Sequence, residues 1–431
     1  MDRDELTGWL RLVMTPQIGP TAARKVLAAF GSPQAVFDAA TRALQAVVGE
    51  AAGKALGTEP EGLDAHVQAT LDWLAASPAH AVLTLGDADY PARLLEMADP
   101  PLLLFAQGRL EALRGPLLAI VGARHPTPQG VDNARAFAAH FSREGWTVVS
   151  GLAAGVDGAA HEGALDGPSP TIAIVGTGLD RVYPARHRAL AHRIVERGLI
   201  LSEYLLGTPP LAPNFPKRNR LIAALGQGTL VVEAAVQSGS LITARLAAEM
   251  GREVLAIPGS IHNPLSRGCH ALIKQGAKLV QTAEDVLEEL RGGLRAPLFT
   301  AQSGDDATAA PASTAGPGST AVRGRVGNVA DRLTAPTAGA AGKDGDGRVP
   351  AATPVEGAAV EPLQANDGTD AATGPHAGLL QALGWDPVHL DALAARTGIG
   401  PAALQAQLLE LELLGEVARL PGQLFQRVAS A

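Results

Sequence analysis

Between residues 115 and 292, short unbroken apolar runs alternate with stretches in which apolar residues recur every three or four positions. Leu117-Leu118-Ala119-Ile120-Val121 is the first such run, and Trp146–Ser150, Thr171–Val175, Leu199–Ser202, Leu230–Val232 and Glu253–Ile257 follow. Strands without a polar face, separated by helix-length segments, imply a parallel sheet covered on both sides. The pattern therefore predicts a Rossmann-like α/β domain built on a parallel sheet.

The flanks read differently. Leu6, Leu10 and Val13 have helical spacing, Thr15–Pro20 breaks it, and Ala23, Val26, Leu27 and Phe30 mark a second helix stopped by Gly31-Ser32-Pro33. The turn "PQIGPTAARKVLAAFGS" fits half of a helix-hairpin-helix element as well as it fits a plain helical bundle. From Ala301 to Pro375 there is no aromatic residue and no isoleucine, so that stretch reads as a disordered linker. Beyond it, Val388, Leu390, Leu393 and Ala394 lead through Thr397-Gly398-Ile399-Gly400 into a helix over Pro401–Leu414, and a hairpin is expected at Val417–Leu420 and Leu424–Val428. Helix, turn, helix and two-stranded wing form a winged-helix layout. The expected divisions are thus a helical domain at 1–80, the α/β core at 81–295, a linker at 296–375 and a winged helix at 376–431.

Composition narrows the function classes. The chain has 431 residues, 46% of them hydrophobic, with a single cysteine, Cys269. One cysteine excludes an internal disulfide framework and a multi-cysteine zinc site. No apolar run has the length of a membrane span, and Met1–Glu5 lacks the apolar core of a signal peptide, so a soluble, cytoplasmic protein with no membrane partner is expected. The net charge of −8 is unevenly spread: residues 1–100 carry 7 basic against 13 acidic groups, 101–300 carry 20 against 16, and the remainder 8 against 14. Only the α/β segment is net positive, which suits a local anion site.

In an open parallel sheet, ligands meet the loops beyond the carboxyl ends of the strands. Those loops read Gly122-Ala123-Arg124 with Thr127, Gly151–Asp157 with Gly155, Gly176-Thr177-Gly178, and Ser238-Gly239-Ser240 at the start of a helix. Glycines, hydroxyls and helix starts are phosphate cradles, and arginine adds a forked contact. Phe215-Pro216-Lys217-Arg218-Asn219-Arg220 adds a basic run beside an aromatic, the combination that holds a single strand by charge and stacking. Phe215 alone is expected to supply the stacking face.

Catalytic readings find less support. The first loop lacks the second glycine of G-x-G-x-x-G, and no G-x-x-x-x-G-K-[ST] occurs. Asp157 and His161 are read as a helix cap and a locally bonded histidine, and Cys269 as a small buried hydrophobe. No catalytic residue, metal site or cofactor is expected. The alternative is a nucleotide-processing enzyme resembling the phosphoribohydrolases, whose Pro-Gly-Gly-x-Gly-Thr loop is broken here to Gly226-Gln227-Gly228-Thr229, with Glu233 following the strand.

The strings "VGARHPTPQG", "SGLAAGVDGAAHEGAL", "GTGLDRVYP", "FPKRNRLIAAL", "VVEAAVQSGSLITARLAAEMGREVLAIPGS" and "RGCHALIKQGA" resemble the DprA (DNA-processing protein A, Smf) family from about Leu94 to Val286. The resemblance implies an extended Rossmann core, often with a SAM-like helical domain before it and a winged helix after it. It also implies binding of single-stranded DNA and loading of the recombinase RecA during natural transformation. A homodimer through the region of Leu272 and Ile273 is implied as well. The family's Gly-Ser-Arg motif falls on Gly122-Ala123-Arg124, with alanine for serine, and its next hydroxyl falls on Thr127. DNA contact is carried onto Arg124, Lys217, Arg218, Asn219, Ser238, Gly239 and Ser240. The tail resembles the family's winged helix, but its second helix has no Lys or Arg, which favours a protein partner over DNA for that module.

Overall fold

The protein is described by a computed structural model covering residues 1–292 and 376–428; the linker expected at 296–375 lies outside them. A nine-stranded sheet organises the larger part. Its strands are β1 (His80–Thr84), β2 (Leu103–Gly108), β3 (Leu117–Val121), β4 (Thr147–Ser150), β5 (Thr171–Ile174), β6 (Leu199–Ser202), β7 (Gly228–Val231), β8 (Glu253–Ala256) and β9 (Lys278–Leu279). They lie side by side in the order β1-β2-β6-β5-β4-β3-β7-β8-β9. All pairings from β6 to β9 are parallel, whereas β1 with β2 and β2 with β6 are antiparallel. The α/β Rossmann-like expectation holds, with an antiparallel edge that the apolar runs did not disclose.

Alternate residues of a strand face opposite sides, and β3 shows both layers directly. Leu117, Ala119 and Val121 join one buried cluster, while Leu118 and Ile120 join a second with Phe141 and Trp146. Every residue of β3, β4, β5, β6 and β7 is buried, which is why these strands read as unbroken apolar runs. Six helices from Arg3 to Ala76 pack Leu6, Leu10 and Val26 into a third cluster shared with Val82 and Phe105. The N-terminal helices therefore form a bundle seated on the antiparallel edge.

The C-terminal unit has helices Ala377–Leu383, Leu390–Thr397 and Pro401–Leu413, and a small sheet in the order β10 (Val388–His389), β12 (Leu424–Arg427), β11 (Val417–Leu420). This is the expected winged helix. Arg396 forms an ion pair at 3.0 Å with Asp132 of the Pro128–Arg143 helix. Among the described residues, no helix is long and apolar enough to cross a membrane.

Helix Pro128–Arg143 and helix Val156–Leu165 cover one face of the sheet and touch through Gly163. A Cβ there would overlap the Arg135 carbonyl oxygen and lie 2.8 Å from its carbonyl carbon. Overpacking at such a backbone contact costs about 1–3 kcal/mol. Gly163→Ala is expected to lower the urea midpoint accordingly; an unchanged midpoint would show that the two helices can separate freely.

Candidate nucleic-acid interface

The chain runs from β3 outward to β6 on one side and then returns to build β7, β8 and β9 on the other. The crevice at this reversal, between the ends of β3 and β7, is where such sheets bind ligands. Here it is filled by the protein itself. The Glu233 carboxylate accepts hydrogen bonds from the Thr127 backbone N–H at 2.9 Å and the Thr127 hydroxyl at 2.7 Å. Asn263 Nδ2 approaches the same carboxylate at 3.4 Å. Thr127 also caps the Pro128–Arg143 helix by accepting from the Gly130 N–H. A Cβ on Gly130 would lie 2.5 Å from Glu233 Oε2, so glycine is required to admit the carboxylate. An internal anion thus occupies a helix N-terminus suited to phosphate. Burial pushes the Glu233 carboxyl above its usual range, opposed by the hydrogen bonds from Thr127. The hydroxyl of Thr127, expected to meet phosphate, is already engaged.

A second internal group shapes the loops after β4 and β5. Arg218 is only 3% exposed and donates to the carbonyl of Gly151 at 2.6 Å and to that of Ile174. Burial draws its pKa down to about 10 against the opposing effect of Asp157. Asp157, also buried, accepts from the backbone N–H of Gly151 and Ala153 at 3.1 and 3.3 Å. Its carboxyl is raised by burial and held back by Arg218 and those two N–H groups. Asp157 was expected to cap its helix; instead it reaches back to order the loop that precedes it. Gly155, with φ of 80°, presses that loop against the β3 loop, where a Cβ would overlap the Ala123 carbonyl and lie 2.6 Å from that of Arg124. Gly122 allows an equally close approach to Val156 and to the Glu233 carbonyl. Both glycines therefore serve the packing of loop on loop.

The basic run divides by what surrounds each side chain. Residues 214–225 form a helix from which Arg218 and Arg220, two residues apart, leave on opposite sides, each into protein, while Lys217 stays exposed. Arg220 donates to the Asp99 carbonyl at 2.7 Å, lies 3.5 Å from the Asp99 carboxylate and pairs with Glu203. The sequence placed Arg218 and Arg220 against DNA; burial and internal pairing correct that placement. Asn219 remains at the surface edge and ties the helix to the Gly239 carbonyl at 3.3 Å. Ser238 caps the Gly239–Glu249 helix by accepting from the Ser240 N–H, and the two serine hydroxyls contact one another. Gly239 is exposed, with open space around a Cβ.

What faces outward is compact. The exposed Arg124 guanidinium lies 5.6 Å from the centre of the Phe215 ring, and Tyr183 meets Phe215 at 5.5 Å between ring centres. Lys217 lies 5.6 Å from the Tyr204 ring and 3.8 Å from Glu203. Stacking surface is thus not confined to Phe215, since Tyr183 is 48% exposed beside it. Sequence reasoning also missed Arg186, Arg188 and Arg193, which are exposed and form no ion pair among the described residues. The signal was available: residues 181–197 hold five arginines and one acid, a balance of +4 in a chain of −8. His187, between two of these arginines, faces the Leu152 carbonyl at 2.9 Å and so anchors the basic segment to the β4 loop.

Elsewhere, Leu272 is 3% exposed and lies in the main core cluster, and Ile273 is half-buried against it. The expected subunit contact at Leu272 is corrected accordingly, because that side chain already faces inward. Cys269 is buried, as expected of a small hydrophobe, and burial pushes its thiol up to about 12.

The family described as DNA recombination-mediator protein A matches residues 81–291, and the DprA winged helix domain matches residues 363–423. Protein Smf of Escherichia coli (strain K12) is 47% identical over 229 residues, which cover 53% of this chain and 61% of that protein. DNA processing protein DprA of Streptococcus pneumoniae is 47% identical over 212 residues, covering 49% of this chain and 74% of the relative. The X-ray structure of DNA processing protein A from Streptococcus pneumoniae superposes with a TM-score of 0.58 at 37% identity, over 67% of this chain and 98% of that one.

His161 provides a stability readout of the layer beneath the loops. Thr171 Oγ1 donates to the Val148 carbonyl and so accepts from His161 Nδ1–H at 2.8 Å, leaving Nε2 buried and without a partner. Burial, with His187 and Arg218 nearby, lowers its pKa from 6.5 to about 3. A depressed histidine contributes stability above the unfolded-state pKa, and that contribution is lost as pH falls toward the folded-state value. Wild-type stability should therefore decline between pH 6.5 and 3 with a slope from this group of at most about 1.4 kcal/mol per pH unit. His161→Gln should flatten that part of the profile in urea titrations; an unchanged slope would assign the loss to other groups.

Proposed function

The chain belongs to the DprA/Smf family of DNA-processing proteins, and from that premise we propose that it is a non-catalytic, cytoplasmic protein that binds single-stranded DNA. In this reading it shields incoming or processed strands and loads RecA onto them in natural transformation and recombination. The observation that carries the reading is the outward cluster of Arg124, Phe215, Tyr183 and Lys217 at the strand ends. Cations close to aromatic faces hold a flexible strand without reading its sequence. Phosphates meet Arg124, Lys217, Asn219, Ser238 and Gly239, while Phe215 and Tyr183 receive bases. Arg186, Arg188 and Arg193 extend the positive surface away from this centre. Gly122, Thr127, Gly155, Arg218, Arg220 and Ser240 act beneath it, holding the loops in position.

Glu233 weighs against the phosphoribohydrolase-like alternative. Its carboxylate is bound by Thr127 and Asn263, which leaves the helix N-terminus at the sheet reversal closed to a nucleotide phosphate. A homodimer is part of the proposal, and β9 offers an edge for it, with Leu279 exposed.

Binding of fluorescent oligothymidylate, followed by anisotropy across a salt series, tests the reading. Each phosphate contact contributes about 0.7 to the slope of log K against log salt for a single strand. Arg124→Ala with Lys217→Ala should weaken binding by about tenfold or more and reduce the slope by about 1.4. Arg188→Ala with Arg193→Ala should weaken a long strand more than a short one. No binding by folded wild type, or turnover of a nucleotide by the purified protein, would overturn the proposal.

A further inference from the structure

The Pro401–Leu413 helix of the winged-helix unit is apolar on two opposite sides. Leu404, Leu408 and Leu411 are buried in the local core. Ala402, Ala406, Leu409 and Leu413, spaced by four, three and four residues, form a second stripe that is exposed along its length. Leu409 is 56% and Leu413 81% exposed, and Leu414 continues the patch beyond the helix end. A helix at a protein surface ordinarily has one apolar face, and Leu409 and Leu413 lie outside the buried cluster of their own domain. Contiguous exposed leucines of this kind mark contact surfaces.

The charges beside the stripe select the occupant. Glu410 and Glu412 lie on its two flanks, Glu416 follows at its end, and no Lys or Arg occurs from 401 to 418. Glu410 touches His376 at 3.1 Å but remains well exposed. DNA is disfavoured by the absence of any cation. Two-fold pairing with a second copy would set the same glutamates against each other, a like-charge clash at the flanking positions. Within the 301–375 stretch of the same chain, Val322, Val326, Val329 and Leu333 share the stripe's spacing with arginines beside them, but Gly324, Gly327 and three β-branched valines make that run a poor helix former.

The geometry points to a docking face for an amphipathic helix of another protein, one with an apolar stripe at i, i+3/i+4, i+7 spacing and Lys or Arg on its flanks. This face is remote in sequence from the strand-binding cluster and does not depend on the strand-binding reading.

Two labelled synthetic helices of about 20 residues, long enough to hold helical structure, provide the probes. Both carry an Ala/Leu stripe; one is flanked by lysine and the other by glutamate. The full-length chain should bind the lysine-flanked helix and bind its glutamate-flanked counterpart about tenfold more weakly or not at all. Leu409→Gln with Leu413→Gln should weaken the lysine-flanked helix by about tenfold, the scale of an interface anchor. Both leucines are exposed, so the thermal midpoint and oligothymidylate binding should be unchanged in that variant. Equal affinity of wild type and variant for the lysine-flanked helix would overturn the inference, as would failure of wild type to bind it. Self-association of wild type in sedimentation, lost in the variant, would assign the face to a second copy and overturn it equally.

Discussion

Arg218 is buried where the loops after β4 and β5 meet, and the exposed surface above depends on it. Its guanidinium joins the carbonyls of Gly151 and Ile174, at the ends of β4 and β5, while Asp157 beside it draws in the N–H groups of Gly151 and Ala153. The loop so fixed carries Gly155 and Val156, and Val156 N–H donates to the Ala123 carbonyl at 3.1 Å. That contact sets the backbone from which Arg124 extends over Phe215. Two charges removed from water are costly unless their hydrogen bonds are complete. Their contribution is one of position: they specify where an exposed cation stands.

Glu233 plays the complementary part at the reversal of the sheet. An open Rossmann-like crevice invites a nucleotide phosphate at the helix N-terminus. Here a carboxylate from the chain itself satisfies those donors, and Gly130 provides the room for it. The architecture is retained while its usual small-molecule site is closed. In the proposed reading, anion binding is displaced to the outer rim, where the cations are solvated and a long polyanion can reach several at once. Such binding is electrostatic and therefore responsive to salt.

The two ends of the basic segment show how local and long-range effects combine. Five arginines lie within residues 181–197, yet they do not share one role. Arg181 pairs with Asp180, and Arg197 donates to the carbonyls of Leu165 and Gly167 at the end of a neighbouring helix. Arg186, Arg188 and Arg193 are left facing solvent, and His187 fixes them relative to the β4 loop. The winged-helix unit divides its leucines similarly, with one set closing its core and another left outward.

Much of the fold was legible in the chain alone. Buried strands, helix spacing, the wing hairpin and the glycine- or hydroxyl-bearing strand ends are set by local sterics and by periodicities of two and 3.6 residues, which a sequence displays directly. The antiparallel β1–β2 edge was not, because an apolar run does not state its partner or direction. The site was legible as a list of residue types but not as a surface. Whether an arginine of the Lys217–Arg220 run faces water or a carbonyl depends on Gly151, Ile174 and Asp99, at separations of 67, 44 and 121 residues. Closure of the phosphate slot depends on Glu233 and Thr127, 106 residues apart. Local periodicity and composition set the elements and the chemistry available at their ends. Which of those groups were satisfied internally, and which were left to a partner, was settled by packing, because burial and pairing are properties of distance in space.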